Sequence, residues 1–200
     1  MPLPAHLLTA LALYAFVASI TPGPNNLMLL ASGANFGFAR TIPHMLGIAL
    51  GFTAMTAIVG FGLAGLFLTF PLARAVLTVA SVAYLLWLAW KIANAAPPDA
   101  RAPATGKPMT GLQAAAFQWV NPKAWSMTLT ANTLYAPNAD WPSVAAVAVV
   151  FGLVNLPCIS SWALIGTALR GWLRNPRTLR LFNLGMAALL VATLYPVLAG

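Results

Sequence analysis

The sequence predicts an all-α polytopic membrane protein: six transmembrane helices, built as two inverted three-helix repeats with a broken first and fourth helix. Three observations carry that prediction. The 200-residue chain is 60% hydrophobic and only 6% charged, where a soluble domain of this size carries about a quarter charged residues. Six apolar segments reach the roughly 20 residues that a span requires. The first and fourth segments are each interrupted by proline, at positions roughly a hundred residues apart.

The segments run about 5–33, 43–69, 72–92, 111–136, 142–168 and 178–199. The first contains TPGPNN at 21–26, and no Lys or Arg precedes Arg40. Without a basic n-region a cleaved signal peptide is not expected, and the bacterial inner membrane is the expected location. The second reads GIALGFTAMTAIVGFGLAGL. Gly47 and Gly51 form a GxxxG pair, followed by Gly60, Gly62 and Gly65, a pattern that lets helix backbones approach closely in lipid. Between the third and fourth lies a Pro/Ala-rich linker at about 93–110. The fourth is interrupted by QWVNPKAW at 118–125. The fifth contains GLVNLPCISSW, where Asn155 before Pro157 predicts a local unwinding; the sixth contains Asn183. Trp87, Trp90, Trp141 and Trp172 fall near span ends, where amphipathic rings favour the interface. The domain expectation is one transmembrane unit over 1–200: repeat 1 at about 5–92, a cytoplasmic loop at 93–110, and repeat 2 at about 111–199.

Orientation follows from basic residues. The 33–42 loop carries Arg40, the 91–110 loop Lys91, Arg101 and Lys107, and the 169–180 loop Arg170, Arg174, Arg177 and Arg180. The opposite side carries only Arg74. Positive charge marks cytoplasmic loops, so both termini are expected outside. The same distribution accounts for the net charge of +8 without a nucleic-acid partner. The single Cys158 excludes an internal disulfide, a CxxC redox pair and a thiolate metal site. No cofactor and no metal are expected. The only acids, Asp99 and Asp140, lie outside the spans.

Thr21-Pro22 and Asn121-Pro122 each pair a good N-cap residue with proline at the first helical position. Each therefore reads as the start of a half-helix, and inverted insertion brings the two starts face to face near mid-membrane. Exposed N–H groups and positive dipole ends suit a carboxylate there; a plain proline kink is the alternative. Lys123 lies about nine residues beyond Gln113, roughly 15 Å into a ~30 Å core. Its insertion costs about 2.5–3.5 kcal/mol, and no acid in any span offsets it, so an anion from outside is expected beside it, unless the side chain snorkels. Asn25, Asn26, Asn121 and Asn155 supply further polar groups around Pro22, Gly23, Pro24 and Pro122. Trp119 and Trp125 flank the second break, as cavity walls or as packing. His44 lies near the cytoplasmic end of the second span, as a structural residue or a proton relay.

The phrases TPGPN, GxxxG, AYLLWLAWK and NPKAW, together with VNLPCISSWALIGTALRGWL and LFNLGMAALLVATLYPVL, resemble the LysE/RhtB family of amino-acid exporters over nearly the whole chain. The resemblance implies efflux of amino acids or close derivatives, without ATP and driven by the proton motive force. It carries Pro22, Gly23, Pro24 and Asn25, then Asn121, Pro122 and Lys123, as motif positions. Ser81, Val82 and Ala89 stand where glycines flank the third-span motif in the family, and Arg40 follows Ala39 instead of glycine.

The leading function is secondary-active export of a neutral amino acid, since no acid in the spans receives a cationic side chain. A cationic amino acid or another small solute is the alternative. A metal-ion exporter is less favoured, because carboxylate, imidazole and thiolate clusters are missing. An enzyme is not expected: there is no P-loop and no HExxH. Lys123 is the first candidate for proton coupling and His44 the second. The partners expected are the amino-acid substrate and the lipid bilayer. The glycine faces allow a homodimer without requiring one.

Overall fold

A computed structural model describes residues 4–63, 71–94 and 107–195. These residues form eight α-helices: α1 (Ala5–Ile20), α2 (Pro24–Phe36), α3 (Phe38–Ile58), α4 (Pro71–Ala93), α5 (Gly111–Phe117), α6 (Pro122–Tyr135), α7 (Trp141–Leu169) and α8 (Pro176–Ala192). A π-helical turn, Val59–Leu63, extends α3, and a 3₁₀ turn, Gln118–Val120, leads from α5 towards α6. No strand occurs among the described residues. The described part of the chain is thus all-helical. Two helices, Phe38–Gly62 and α7, are long and apolar enough to cross a membrane. The pair α1 and α2 makes a third if it is one span, bent by 55°. Gly65, Asp99, Arg101 and most of the 93–110 linker lie outside the described residues.

Three expectations about local structure change. The half-helix of the first segment begins at Pro24, not Pro22. Gly23 is its N-cap, with no side-chain bond, whereas Thr21 closes α1 and donates its hydroxyl to Val17 O and Ala18 O, each at 3.0 Å. Of two prolines two residues apart, the second takes the helix's first position, because Pro24 disfavours a helical Gly23. The second helix starts earlier than residue 43, at Phe38. Gly37, at φ 81°, ends α2 and turns the chain directly into α3, a backbone conformation suited to glycine. The unwinding expected at Asn155–Pro157 does not occur, and α7 runs through Pro157 as one 29-residue helix. Pro157 removes a single N–H, the one that would reach Leu153 O, and the continuous helix absorbs that one lost bond within its packed surroundings.

Glycines set the packing around the centre. A Cβ on Gly47 would strike the backbone of Gly111, and one on Gly51 would lie 2.5 Å from Ala115 Cα, so α3 seats directly on α5. Likewise Gly33 faces the Ala163 carbonyl and Gly166 the Leu30 carbonyl, holding α2 against α7. The GxxxG pair is therefore a helix-contact device. Phe52, Met55, Phe151, Val144, Val147 and Leu11 fill the core between α1, α3 and α7, next to Trp125 of α6. Trp87, Trp90, Trp141 and Trp172 are exposed.

Candidate functional site

The end of α1 and the starts of α2 and α6 meet at one small cavity. It is lined by Ser19 from α1, Gly23, Asn25 and Asn26 at the head of α2, Asn121 and Lys123 at the head of α6, and Asn155 from α7, with apolar residues including Phe52 and Met127 between them. Its volume is about 20 Å³, the scale at which a single water fits.

The second break builds its own helix start. Asn121 is extended (φ −92°, ψ 108°) and its Oδ1 accepts from the Lys123 N–H at 3.1 Å, with Pro122 at the first helical position. The N–H of Trp125 is the first to reach back, to Asn121 O. The Ala124 amide therefore precedes the helix's own ladder and stands at its positive end. In α2 the first such bond runs from Leu27 N to Gly23 O, leaving the amides of Asn25 and Asn26 in the same position.

The first break is repaired from elsewhere. The indole Nε1–H of Trp162, on α7, donates to Ile20 O at 3.1 Å. Asn26 Nδ2 donates to Ser19 O and to Thr21 O, each at 2.8 Å. Lys123 Nζ donates to Thr21 O at 2.6 Å, Thr21 Oγ1 at 3.0 Å and Pro22 O at 3.4 Å. The lysine that lacked an acidic partner in sequence thus sits at the negative end of α1, where a cation is favoured. Helix carbonyls supply the counter-charge that no aspartate or glutamate provides.

A reciprocal amide pair joins the two breaks. Asn25 Nδ2 donates to Gln118 Oε1 at 2.9 Å and Gln118 Nε2 donates to Asn25 Oδ1 at 3.2 Å. Gln118 is fully buried and also bonds Ala114 O at 2.9 Å. Asn155 Nδ2 donates to Ser19 Oγ at 3.2 Å.

Of the residues singled out in sequence, Gly23, Asn25, Asn26, Asn121, Lys123 and Asn155 line the cavity. Thr21 and Pro22 hold the lysine from its rim, and Pro24 and Pro122 open the two helices. Asn183 lies elsewhere, accepting from Asn35 at 3.4 Å. His44 is buried away from the cavity, with no partner on either ring nitrogen. Trp119 and Trp125 pack edge to face, 6.0 Å apart, and Trp125 Nε1 donates to Trp119 O at 2.9 Å. They belong to the core rather than the cavity wall. Ser19 and Gln118 were missed. Gln118 carried a signal, since it opens the QWVNPKAW interruption; Ser19, a lone serine in an apolar helix, carried none.

Long apolar helices packed on glycine, with a polar cavity where broken helices meet, define a helical multi-pass membrane protein of the transporter class. The particular kind follows from comparison with known proteins. The family model described as "LysE type translocator" matches residues 16–193, and the chain belongs to the LysE family. It is a translocator, not an enzyme. Among its relatives are proteins described as "Cysteine/O-acetylserine efflux protein" from Escherichia coli (strain K12) and Shigella sonnei (strain Ss046). Each is 32% identical over 190 residues, covering 92% of this chain and 94% of the relative. No solved structure matches the chain.

Proposed function

We propose that this protein exports neutral amino acids or their close derivatives across the bacterial inner membrane, driven by the proton motive force. The observation that carries the reading is the shared cavity: two helix starts and a lysine at one place, with no carboxylate among the lining residues. Such a site attracts a carboxylate and offers nothing anionic to a cationic side chain. The relatives named for efflux of cysteine and O-acetylserine, both uncharged in the side chain, agree with that choice.

In this reading the substrate carboxylate takes the longest of the Lys123 bonds, the one to Pro22 O at 3.4 Å, and adds the free amides of Asn25, Asn26 and Ala124. Thr21, Pro22, Gly23 and Pro24 shape one side of the site; Asn121, Pro122 and Lys123 shape the other, with Asn155 opposite. A cavity of about 20 Å³ is too small for an amino acid, so transport requires the breaks to part. The six segments act as spans in two inverted repeats, about 5–92 and 111–199, with both termini outside and the basic loops in the cytoplasm. Proton coupling falls to Lys123, with His44 second, because Asp99 and Asp140 both lie outside the proposed spans.

Efflux of labelled amino acids from loaded vesicles tests the proposal, with wild type, Lys123→Ala and Lys123→Arg compared. Lys123→Ala is expected to lose export by about tenfold or more, the effect of about 1.5–3 kcal/mol in a charged hydrogen bond. Unchanged export in that variant would sink the carboxylate site. Lys123→Arg keeps the charge but does not titrate, so full pH dependence in it would remove the lysine from the coupling.

A further inference from the structure

One acceptor at the cavity is left over. Asn155 is 4% exposed, lines the cavity, and is tethered through Nδ2 to Ser19 Oγ at 3.2 Å, yet its Oδ1 accepts no hydrogen bond. Buried polar atoms in folded proteins are nearly always paired, so an exception asks for an explanation. The other unpaired buried atoms, Asn35 Oδ1, Asn132 Oδ1 and the two His44 nitrogens, belong to residues that do not line the cavity. Among the described residues, Asn155 Oδ1 is therefore the fully buried, unpaired atom that belongs to a cavity-lining residue.

The polar groups of the wall divide by sign. The heads of α2 and α6 present donors: the early amides and the Lys123 ammonium. The α1 carbonyls are already engaged, Ser19 O and Thr21 O by Asn26 and Ile20 O by Trp162. The acceptor that is both fully buried and unengaged is Asn155 Oδ1, whose amide is tied to Ser19 Oγ through Nδ2.

We propose that Asn155, held by Ser19, is the ammonium subsite, accepting an N–H from the substrate's α-ammonium while the carboxylate lies at the helix heads. The cargo is then a free α-amino acid with both groups unblocked, and N-acyl derivatives are rejected. This inference rests on the carboxylate reading of the same cavity. The chemistry also favours asparagine over aspartate here. An amide oxygen accepts from the ammonium without adding a negative charge that would capture Lys123 in the empty site.

The test is transport by proteoliposomes holding the purified full chain. A labelled neutral amino acid is competed by the unlabelled parent and by its N-acetyl derivative. Wild type is expected to discriminate against the N-acetyl compound by about tenfold or more, the effect of one hydrogen bond to a charged group. In Asn155→Leu the parent weakens by a similar factor while the N-acetyl compound does not, so the discrimination collapses. Ser19→Ala, which frees Asn155 without removing it, narrows it partway; should Asn155→Leu fail to fold, the wild-type ratio and this variant decide. Equal competition by the N-acetyl compound in wild type, or full discrimination kept in Asn155→Leu, overturns the subsite alone. Wild-type liposomes that carry no amino acid overturn the efflux reading and this inference with it.

Discussion

At residues 118–123 the chain repairs its own break, whereas at residues 21–26 much of the repair comes from distant helices. Asn121 caps α6 from within the interruption, and a 3₁₀ turn leads into it. Gly23 begins α2 with no side-chain cap, and the exposed carbonyls of α1 are taken by Asn26, Trp162 and Lys123. The difference teaches where substrate can act. A self-capped helix start persists when its neighbours move. A start held by a lysine and an indole from other helices changes when those partners are drawn away, so the first break is the responsive one. The proposed carboxylate pulls on Lys123, and the pull is transmitted to Thr21 and Pro22.

The largest effect short of removing the lysine is expected from Gly23→Ala. A Cβ there would lie 2.6 Å from Lys123 Cδ and 3.1 Å from Nζ. The backbone is extended (φ −171°, ψ 177°) and accepts alanine without strain, so the whole burden falls on the lysine, which must leave its carbonyls. Export should fall by about tenfold, and stability by about 1–3 kcal/mol, from the displaced lysine bonds together with the poorer cap. The same change in a Lys123→Ala background should add almost nothing to the loss of export, because the clash has gone. Additive losses in the two backgrounds would mean that Gly23 acts independently of the lysine.

Next comes the amide pair that couples the two breaks. Asn25→Leu and Gln118→Leu each strand a polar partner in the interior, at about 1–3 kcal/mol. In a double-mutant cycle followed by thermal unfolding in detergent, the pair should return about 1 kcal/mol or more of coupling. Coupling near zero would show that the breaks are held side by side by packing alone.

Much of this comparison was legible in the sequence. Asn121-Pro122 announced a capped start because cap and first residue are adjacent, and the structure forms it there. Lys123 stood out because a cation in an apolar segment has to be answered by something. What answers it was not legible: the carbonyls of Thr21 and Pro22 are backbone groups, which every residue carries, freed only by the way α1 ends. The same limit hid the true start of α2, since Thr21-Pro22 and Gly23-Pro24 are both plausible openings and only the fold chooses between them. Asn155-Pro157 misled for a related reason. A proline reports a missing donor, and whether the helix breaks there depends on the packing of its neighbours. Ser19 acquires its role only through Asn155, 136 residues away.

The smallest expected effect sharpens the comparison at its self-sufficient end. Asn121→Ala removes one side-chain cap and should cost about 1 kcal/mol, with the α6 start otherwise intact because Pro122 still fixes its first residue. Asp140 supplies a contrast within the same chain. It caps α7 through Oδ1 to Ser143 N at 3.2 Å, and that bond to the backbone holds its carboxyl below the ordinary value of 3.8. A depressed acid contributes stability that is present above its ordinary range and lost as pH falls through the lowered value. Asn121 has no proton to gain. Thermal melts of wild type and Asn121→Ala should therefore stay separated by the same increment on acidification, while both lose the Asp140 contribution together. Asp140→Asn should flatten that acid limb and leave the Asn121 increment untouched. An Asn121 increment that shrinks with acid would show that the second break, too, leans on a titrating partner.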